Sequence, residues 1–160
     1  MDIEKYKREA ENAIPTTKKL FDRLKKIKPK DLDVVIHELH DKAFDKIDCR
    51  ECANCCKTTS PIFYQKDIER VSKKLRMTPG DFAQTYLTID EDRDYVLKST
   101  PCPFLDEDNS CKVYDARPSA CAEYPHTNRK KMYQILDLTY KNIFVCPAVH
   151  EIVEGMKKKF

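Results

Sequence analysis

Apolar residues recur every three or four positions through much of this chain, the spacing that gathers them on one face of a helix. Ile14, Leu20, Phe21, Leu24 and Ile27 make the first such stripe. Pro15 suits its first turn, where an amide hydrogen would have no helical partner to lose. Lys28-Pro29-Lys30 breaks the segment, and Leu32, Val35, Ile36, Leu39, Ala43, Phe44 and Ile47 follow as a second stripe. The two helices are expected to pack as an antiparallel hairpin. Residues 1–47 then form an N-terminal helical arm without cysteine, with a face available to a protein partner.

After residue 47 the periods shorten and mix. Pro61-Ile62-Phe63-Tyr64 reads as a short strand, and Ile68, Val71 and Leu75 as a helical stripe starting near Asp67. Thr78-Pro79-Gly80-Asp81 carries a helix start: a hydroxyl cap, a first-position proline and an acid three residues after the cap. The helix it opens holds Phe82, Tyr86 and Leu87. Tyr95-Val96-Leu97 and Cys111-Lys112-Val113-Tyr114 read as strands, with Asp108-Asn109 as turn chemistry between Leu105 and Cys111. Arg117-Pro118-Ser119-Ala120-Cys121 begins a helical turn that Pro125 interrupts. Residues 132–145 fit helix and strand alike, with Ile135, Leu136, Leu138, Ile143, Phe144 and Val145 as core candidates. Pro147 opens a last helix with Val149, Ile152, Val153 and Met156 inward. Lys157-Lys158-Lys159 close it at the end where cations suit the helix dipole. The expected fold is mainly α with a short β-hairpin. It is a small single domain organised around a cysteine-ligated metal centre, with residues 48–160 as the cysteine-cluster metal-binding domain.

Composition narrows the function. A chain of 160 residues suffices for one domain with a real core. Two glycines are too few for an all-β fold, which consumes glycine in turns. Lys and Arg total 30 against 27 Asp and Glu, a net charge of +3. The basic spots Lys18-Lys19, Lys25-Lys26 and Arg129-Lys130-Lys131 have acids interleaved, so solvated faces explain them and nucleic acid is not an expected partner. No run approaches the roughly 20 apolar residues of a membrane span. Met1-Asp2-Ile3-Glu4-Lys5 does not read as a signal peptide. The expectation is a cytoplasmic protein with no membrane. Thiols stay reduced there, which makes eight cysteines metal ligands ahead of disulfides.

Four of the eight lie in Cys49-Arg50-Glu51-Cys52-Ala53-Asn54-Cys55-Cys56, a C-x-x-C-x-x-C-C run. Cysteines three apart in a turn can reach one metal, and three in that register are the local pattern of an iron–sulfur loop. Neighbouring side chains diverge, so one of Cys55 and Cys56 is expected to face a second site or a buried wall. The other four, Cys102, Cys111, Cys121 and Cys146, stand at joints of the expected elements, as ligands gathered by folding would. Eight is two sets of four, the ligand number of a tetrathiolate zinc or a cubane cluster. The run is expected to be shared, giving two or three thiolates to one centre and one or two to another. The expected cofactor is an iron–sulfur cluster, towards which the spacing and the Cys-Pro pairs lean, or Zn2+. Such centres carry negative charge. Arg50, Lys57, Lys112 and Arg117 lie within four residues of cysteines, and Arg117, with its planar fork followed by Pro118, is the best cofactor-side donor among them. His37 and His40 share a helix face and are expected to look into solvent. His126 and His150 are the nitrogen donors close to Cys121 and Cys146.

The run C-x-x-C-x-x-C-C, then Pro101-Cys102-Pro103-Phe104-Leu105, then Cys111-x-Val113-Tyr114-x-x-Arg117-Pro118-x-x-Cys121-x-x-Tyr124-Pro125 resembles the YkgJ-type cysteine-cluster family, over roughly residues 49 to 150. The resemblance implies a zinc- or iron-chelating domain, with Cys49, Cys52, Cys55, Cys56, Cys102, Cys111 and Cys121 at family cysteines. Cys146-Pro147 departs from the pattern by lacking a following glycine, and residues 1–47 lie outside it. The preferred reading is a metal-binding protein whose one or two thiolate sites are structural and redox-capable. The same signature occurs in flagellin lysine N-methylases, which implies the alternative of a cluster-dependent enzyme that modifies protein lysines. No glycine-rich loop for S-adenosylmethionine stands out in a chain with two glycines.

Overall fold

The computed structural model describes residues 2–160. In chain order its elements are α1 (Ile3–Asn12), α2 (Ile14–Leu24), α3 (Pro29–Phe44), α4 (Cys49–Cys52), α5 (Asn54–Thr58), β1 (Ile62–Phe63), α6 (Gln65–Lys74), α7 (Pro79–Tyr86), β2 (Leu87–Ile89), β3 (Tyr95–Leu97), α8 (Ser119–Glu123), α9 (Leu136–Asn142) and α10 (Pro147–Lys157). Two 3-10 turns lie at Tyr114–Ala116 and Met132–Ile135. Helix takes 59% and strand 6%, so the fold is mainly α as expected. The elements form two compact units. One comprises the residues up to Cys52 together with Pro125–Phe160, and the other is Ala53–Tyr124.

The first unit is helical. Pro15, Pro29 and Pro147 each stand in the first turn of a helix, where the missing amide hydrogen costs no bond. α10 packs along α3 and also meets α2, α1 and α9. Between them Leu20, Leu24, Leu32, Ile36, Val149, Ile152, Val153 and Met156 are no more than 1% exposed. Each such side chain contributes about 1.5–3 kcal/mol when taken out of water. Gly155 permits the close approach of α10 to α3, since a Cβ there would stand 2.6 Å from a Leu39 methyl. No helix among the described residues is long and apolar enough to cross a membrane.

Two expectations in this unit are corrected. Leu138 is 41% exposed. The 3-10 turn at Met132–Ile135 sets the phase of α9 so that Leu136, Thr139 and Asn142 face inward instead. His37 and His40 do not simply look into solvent. The Asp33 carboxylate accepts the Lys131 and Met132 amides at 2.7 and 2.8 Å. One and two turns later on the same face, His37 Nε2 meets the Arg129 carbonyl at 2.8 Å and His40 Nδ1 meets Thr127 Oγ1 at 2.7 Å. The row fastens the 127–132 segment to α3 and satisfies backbone groups that helix or sheet would otherwise have to satisfy.

The second unit is built on a three-stranded antiparallel sheet in the order β1-β3-β2, with Phe63 and Ile89 both opposite Tyr95. Its β2–β3 part is a hairpin other than the one expected around Asp108-Asn109, closed by an Asp90 carboxylate that accepts the Asp92 and Asp94 amides. Thr78 caps α7 as expected, accepting the Asp81 amide at 3.1 Å. Phe63, Phe82 and Phe104 form the centre of the core, joined by Ile68, Val71, Leu87, Leu97 and Val113. Leu87 was expected at the end of a helix and instead starts β2. The strand expected at Cys111–Tyr114 does not form. Cys111 makes an isolated bridge to Leu105, and the chain then winds into the turn at Tyr114–Ala116. That path sends Val113 into the phenylalanine core at 1% exposure.

Candidate metal centre

Ala53 stands in the left-handed region, at φ 48°, immediately before α5. This conformation costs a non-glycine residue about 1–2 kcal/mol, and it splits the C-x-x-C-x-x-C-C run. Cys49 and Cys52 belong to the first unit, Cys55 and Cys56 to the second.

In the second unit three further cysteines are brought to Cys56. The Cys102 amide donates to the Cys56 carbonyl at 2.8 Å. Cys102 and Cys111 flank a small loop held by the Leu105–Cys111 bridge and by the Lys112 amide donating to the Phe104 carbonyl at 2.9 Å. Both thiols pack against the phenylalanine core. Cys121 lies on α8, whose start is clamped from α6. Asp67 Oδ1 accepts the Ser119 amide and hydroxyl at 3.1 and 3.0 Å. Arg70 donates to Asp67 Oδ1 at 2.7 Å, to the Ala116 carbonyl at 3.2 Å and to the Arg117 carbonyl at 2.8 Å.

The thiols of these four residues act on one another in every pair. Burial pushes Cys121 up to about 12, and the charges of Cys56, Cys102 and Cys111 add to it. Cys121 is exposed as a residue, but its sulfur end is the crowded part. Burial likewise raises Cys102 and Cys111, while the amides of Phe104 and Leu105 favour the Cys102 thiolate and that of Val113 the Cys111 thiolate. Cys56 goes the other way. A hydrogen bond from the Cys55 thiol is the largest influence, and with the charge of Lys57 it brings Cys56 down to about 7 against the effect of burial. Arg117 lies with its guanidinium 4.0 Å above the Tyr114 ring centroid and donates to the Tyr114 carbonyl at 3.1 Å. From there its charge favours the Cys111 and Cys121 thiolates. Lys112 pairs instead with Asp106 at 3.2 Å.

The first unit holds the remaining cysteines. Cys146 stands at the N-terminus of α10, where the Val149 and Ala148 amides favour its thiolate. Burial nevertheless pushes it up to about 11, and the charges of Cys49 and Cys52 add to the effect. The buried phenol of Tyr6 donates to the Ile143 carbonyl. Burial raises its pKa, and the charges of Cys146 and Cys52 do so further. The His150 ring meets Tyr6 edge-on with centroids 5.6 Å apart, and burial lowers its pKa. Arg50 folds back onto Asp48 at 2.9 Å. His126 takes a left-handed conformation, φ 67°.

Among the described residues no three His, Cys, Asp or Glu side chains converge closely enough to hold a metal ion as they stand. The chemistry of the donor set nevertheless fits one. Cys56, Cys102, Cys111 and Cys121 lie near enough to influence one another, backbone amides favour the charged form of Cys102 and Cys111, and the main obstacle to ionisation of Cys102, Cys111 and Cys121 beyond burial is the charge of the other thiols. A cation among them removes that obstacle, because thiolates and not thiols bind metal.

A family model described as "Putative zinc- or iron-chelating domain" and named CxxCxxCC matches residues 48–140. The chain belongs to the CxxCxxCC family. The matched stretch takes in seven of the eight cysteines and stops short of Cys146. No curated protein and no solved structure matches the chain.

Two residues of this CxxCxxCC protein that position the site were not recognised from the sequence: Asp67 and Arg70. The available signal was an acid at the third position of a helix, which suits a cap to the Tyr64 amide, with an arginine one turn on. Nothing in the sequence joined them to Cys121. One consequence of the geometry is directly measurable. In the metal-free protein, iodoacetamide is expected to alkylate Cys56 ahead of Cys102, Cys111 and Cys121, at a rate half-maximal near pH 7. Mass spectrometry of a pH series reads this out. A Cys56 rate that rises only above the ordinary thiol pKa, about 8.5, would show that the bond from Cys55 does not form in solution.

Proposed function

We propose that this protein binds metal on thiolates drawn from Cys49, Cys52, Cys55, Cys56, Cys102, Cys111, Cys121 and Cys146, as an iron–sulfur cluster in preference to zinc. The metal stabilises the fold, and as an iron–sulfur cluster it also carries electrons. One observation carries the reading. Cys56, Cys102, Cys111 and Cys121 come from four separate segments, the charge of Cys56 disfavours ionisation of the other three, and those of Cys102 and Cys111 disfavour ionisation of Cys121. Folding gathers such a set at a cost unless a cation is to sit among them. Membership of a zinc- or iron-chelating family supports metal binding and leaves the metal open. The C-x-x-C-x-x-C spacing and the Cys-Pro pairs favour iron–sulfur. Arg117 is the cation that offsets the remaining negative charge. The reduced thiols suit the cytoplasm.

Anaerobic purification, followed by metal and acid-labile sulfide analysis and a visible spectrum, tests the proposal. A brown protein with iron and sulfide in equal amounts is the expected result. A colourless protein with stoichiometric zinc replaces the cluster by zinc and keeps the thiolate site. A chain that takes up neither metal overturns the reading.

A further inference from the structure

We propose that the 127–132 segment is an acid-opened strap: neutral His40 holds its N-terminal end through Thr127, and protonation of His40 lets that end go while His37 and Asp33 keep the rest on α3.

The strap is fastened by side chains. Asp33, His37 and His40 stand on one face of α3. Asp33 accepts the Lys131 and Met132 amides, His37 Nε2 meets the Arg129 carbonyl at 2.8 Å, and His40 Nδ1 meets Thr127 Oγ1 at 2.7 Å. Two left-handed residues bracket the strap, His126 at φ 67° and Lys131 at φ 61°. A residue with a Cβ holds that conformation where its contacts impose it. Between the two, Thr127 is fully buried, while Asn128, Arg129 and Lys130 are exposed. Loss of the His40 contact therefore frees a short, strained stretch without breaking a helix or a strand.

A proton acts differently on the two histidines. A carbonyl only accepts, so His37 Nε2 carries a hydrogen and bonds Arg129 whether or not the ring is charged. A hydroxyl can donate or accept, and Thr127 Oγ1 has no other hydrogen-bond partner among the described residues. The neutral His40 ring takes the Thr127 hydrogen on Nδ1. Once charged, the ring is a donor at both nitrogens. The buried Thr127 hydrogen then loses its acceptor, which is unfavourable.

The surroundings give a charged His40 little support. Burial is the largest influence and lowers its pKa, Asp41 opposes it, and His37 adds to it. The ionisable groups of residues 126–132 are His126, Arg129, Lys130 and Lys131, with no acid among them. The 3-10 turn at Met132–Ile135, which also packs on α3, adds only the Tyr133 phenol. On α10, Glu151 pairs with Lys46, and Glu154 with Lys157 and His150. The strap is therefore closed above the ordinary histidine pKa, about 6.5. It loosens as pH falls through the lower value of the folded chain.

Hydrogen exchange of the full chain, read by mass spectrometry and corrected for the intrinsic effect of pH, gives the test. Protection at 127–130, where the Arg129 amide donates to the His126 carbonyl, is expected to fall below about pH 6.5 by up to about tenfold per pH unit, the limit for one proton. The Lys131 and Met132 amides are expected to stay protected. Acid also strips metal from thiolates, so the chain is measured with and without chelator, and the response is expected in both. His37→Gln keeps a donor for the Arg129 carbonyl and is expected to keep the response. His40→Gln has no titrating ring and is expected to lose it. Nitrogen NMR of the wild-type imidazoles is expected to place the His40 hydrogen on Nε2 at neutral pH. A flat wild-type profile, a response seen only with metal bound, one that survives His40→Gln or is lost with His37→Gln, or a neutral His40 with its hydrogen on Nδ1 would each overturn the proposal.

Discussion

Stripping the metal with a chelator at neutral pH is expected to move the unfolding transition of the second unit, Ala53–Tyr124, to a much lower temperature. Its apolar core is small: Phe63, Ile68, Val71, Phe82, Leu87, Leu97, Phe104 and Val113. Binding of a structural zinc is worth on the order of 10–16 kcal/mol, as much as the whole net stability of an ordinary domain, about 5–15 kcal/mol. The pH dependence distinguishes this from simple loosening. In the metal-free chain Cys121 and Cys146 are raised to about 12 and about 11. The folded state therefore binds protons more tightly than the unfolded state. The stability this gives is full below the ordinary thiol pKa of about 8.5 and is lost as pH rises through the raised values. The metal-loaded chain behaves oppositely over the lower part of that range, because each thiol that ionises becomes a better ligand. Thermal melts by circular dichroism, with and without chelator across pH, measure both effects. Superimposable cooperative melts would remove the structural role of the metal.

The helical frame was legible because its causes are local. Proline at the first turn, a three-to-four residue apolar period and a threonine cap each act within a few residues, and Pro15, Pro29, Thr78 and Pro147 all stand where those rules put them. The chemistry of the C-x-x-C-x-x-C-C run was legible because four thiols in eight residues have few other uses. What was not legible depended on contacts far apart in sequence. Cys111 looked like a strand residue because Lys112, Val113 and Tyr114 alternate suitably. It makes only an isolated bridge because Val113 is drawn into a core contributed by α7 and the sheet. His37 and His40 looked like solvated residues because their partners, Arg129 and Thr127, lie about ninety positions away. The point at which the cysteine run passes from one unit to the other is marked by the backbone of Ala53, an alanine in a conformation its identity does not announce.

Asp67 belongs with these. In a chain with 36% charged residues nothing singles out one acid, yet this one is 1% exposed. Burial by itself would raise its pKa. The amides of Tyr64 and Ser119, the Arg70 guanidinium and the Ser119 hydroxyl hold it below the usual carboxylate range. Asp67→Ala leaves those donors without their acceptor and Arg70 without its counter-charge. Breaking a fully buried pair costs about 3–5 kcal/mol. Arg70 is 40% exposed, so water recovers part of the loss, and a cost of about 2–4 kcal/mol is expected near pH 7. The depressed pKa sets the sign of the pH dependence. The stability from Asp67 is present above the unfolded carboxylate pKa, about 3.9, and is lost as pH falls through the lower folded value. The gap between wild type and Asp67→Asn, which keeps the shape and removes the charge, should therefore narrow in acid. Urea titrations at neutral and acid pH test this, and a pH-independent gap would mean that the carboxylate is not charged in the folded protein. The clamp also predicts a chemical signature that general destabilisation does not. At a temperature where Asp67→Asn remains folded, the release of Ala116, Arg117 and Ser119 should expose Cys121 to alkylation before Cys102 or Cys111, because Cys121 alone among them is held in place through Asp67 and Arg70.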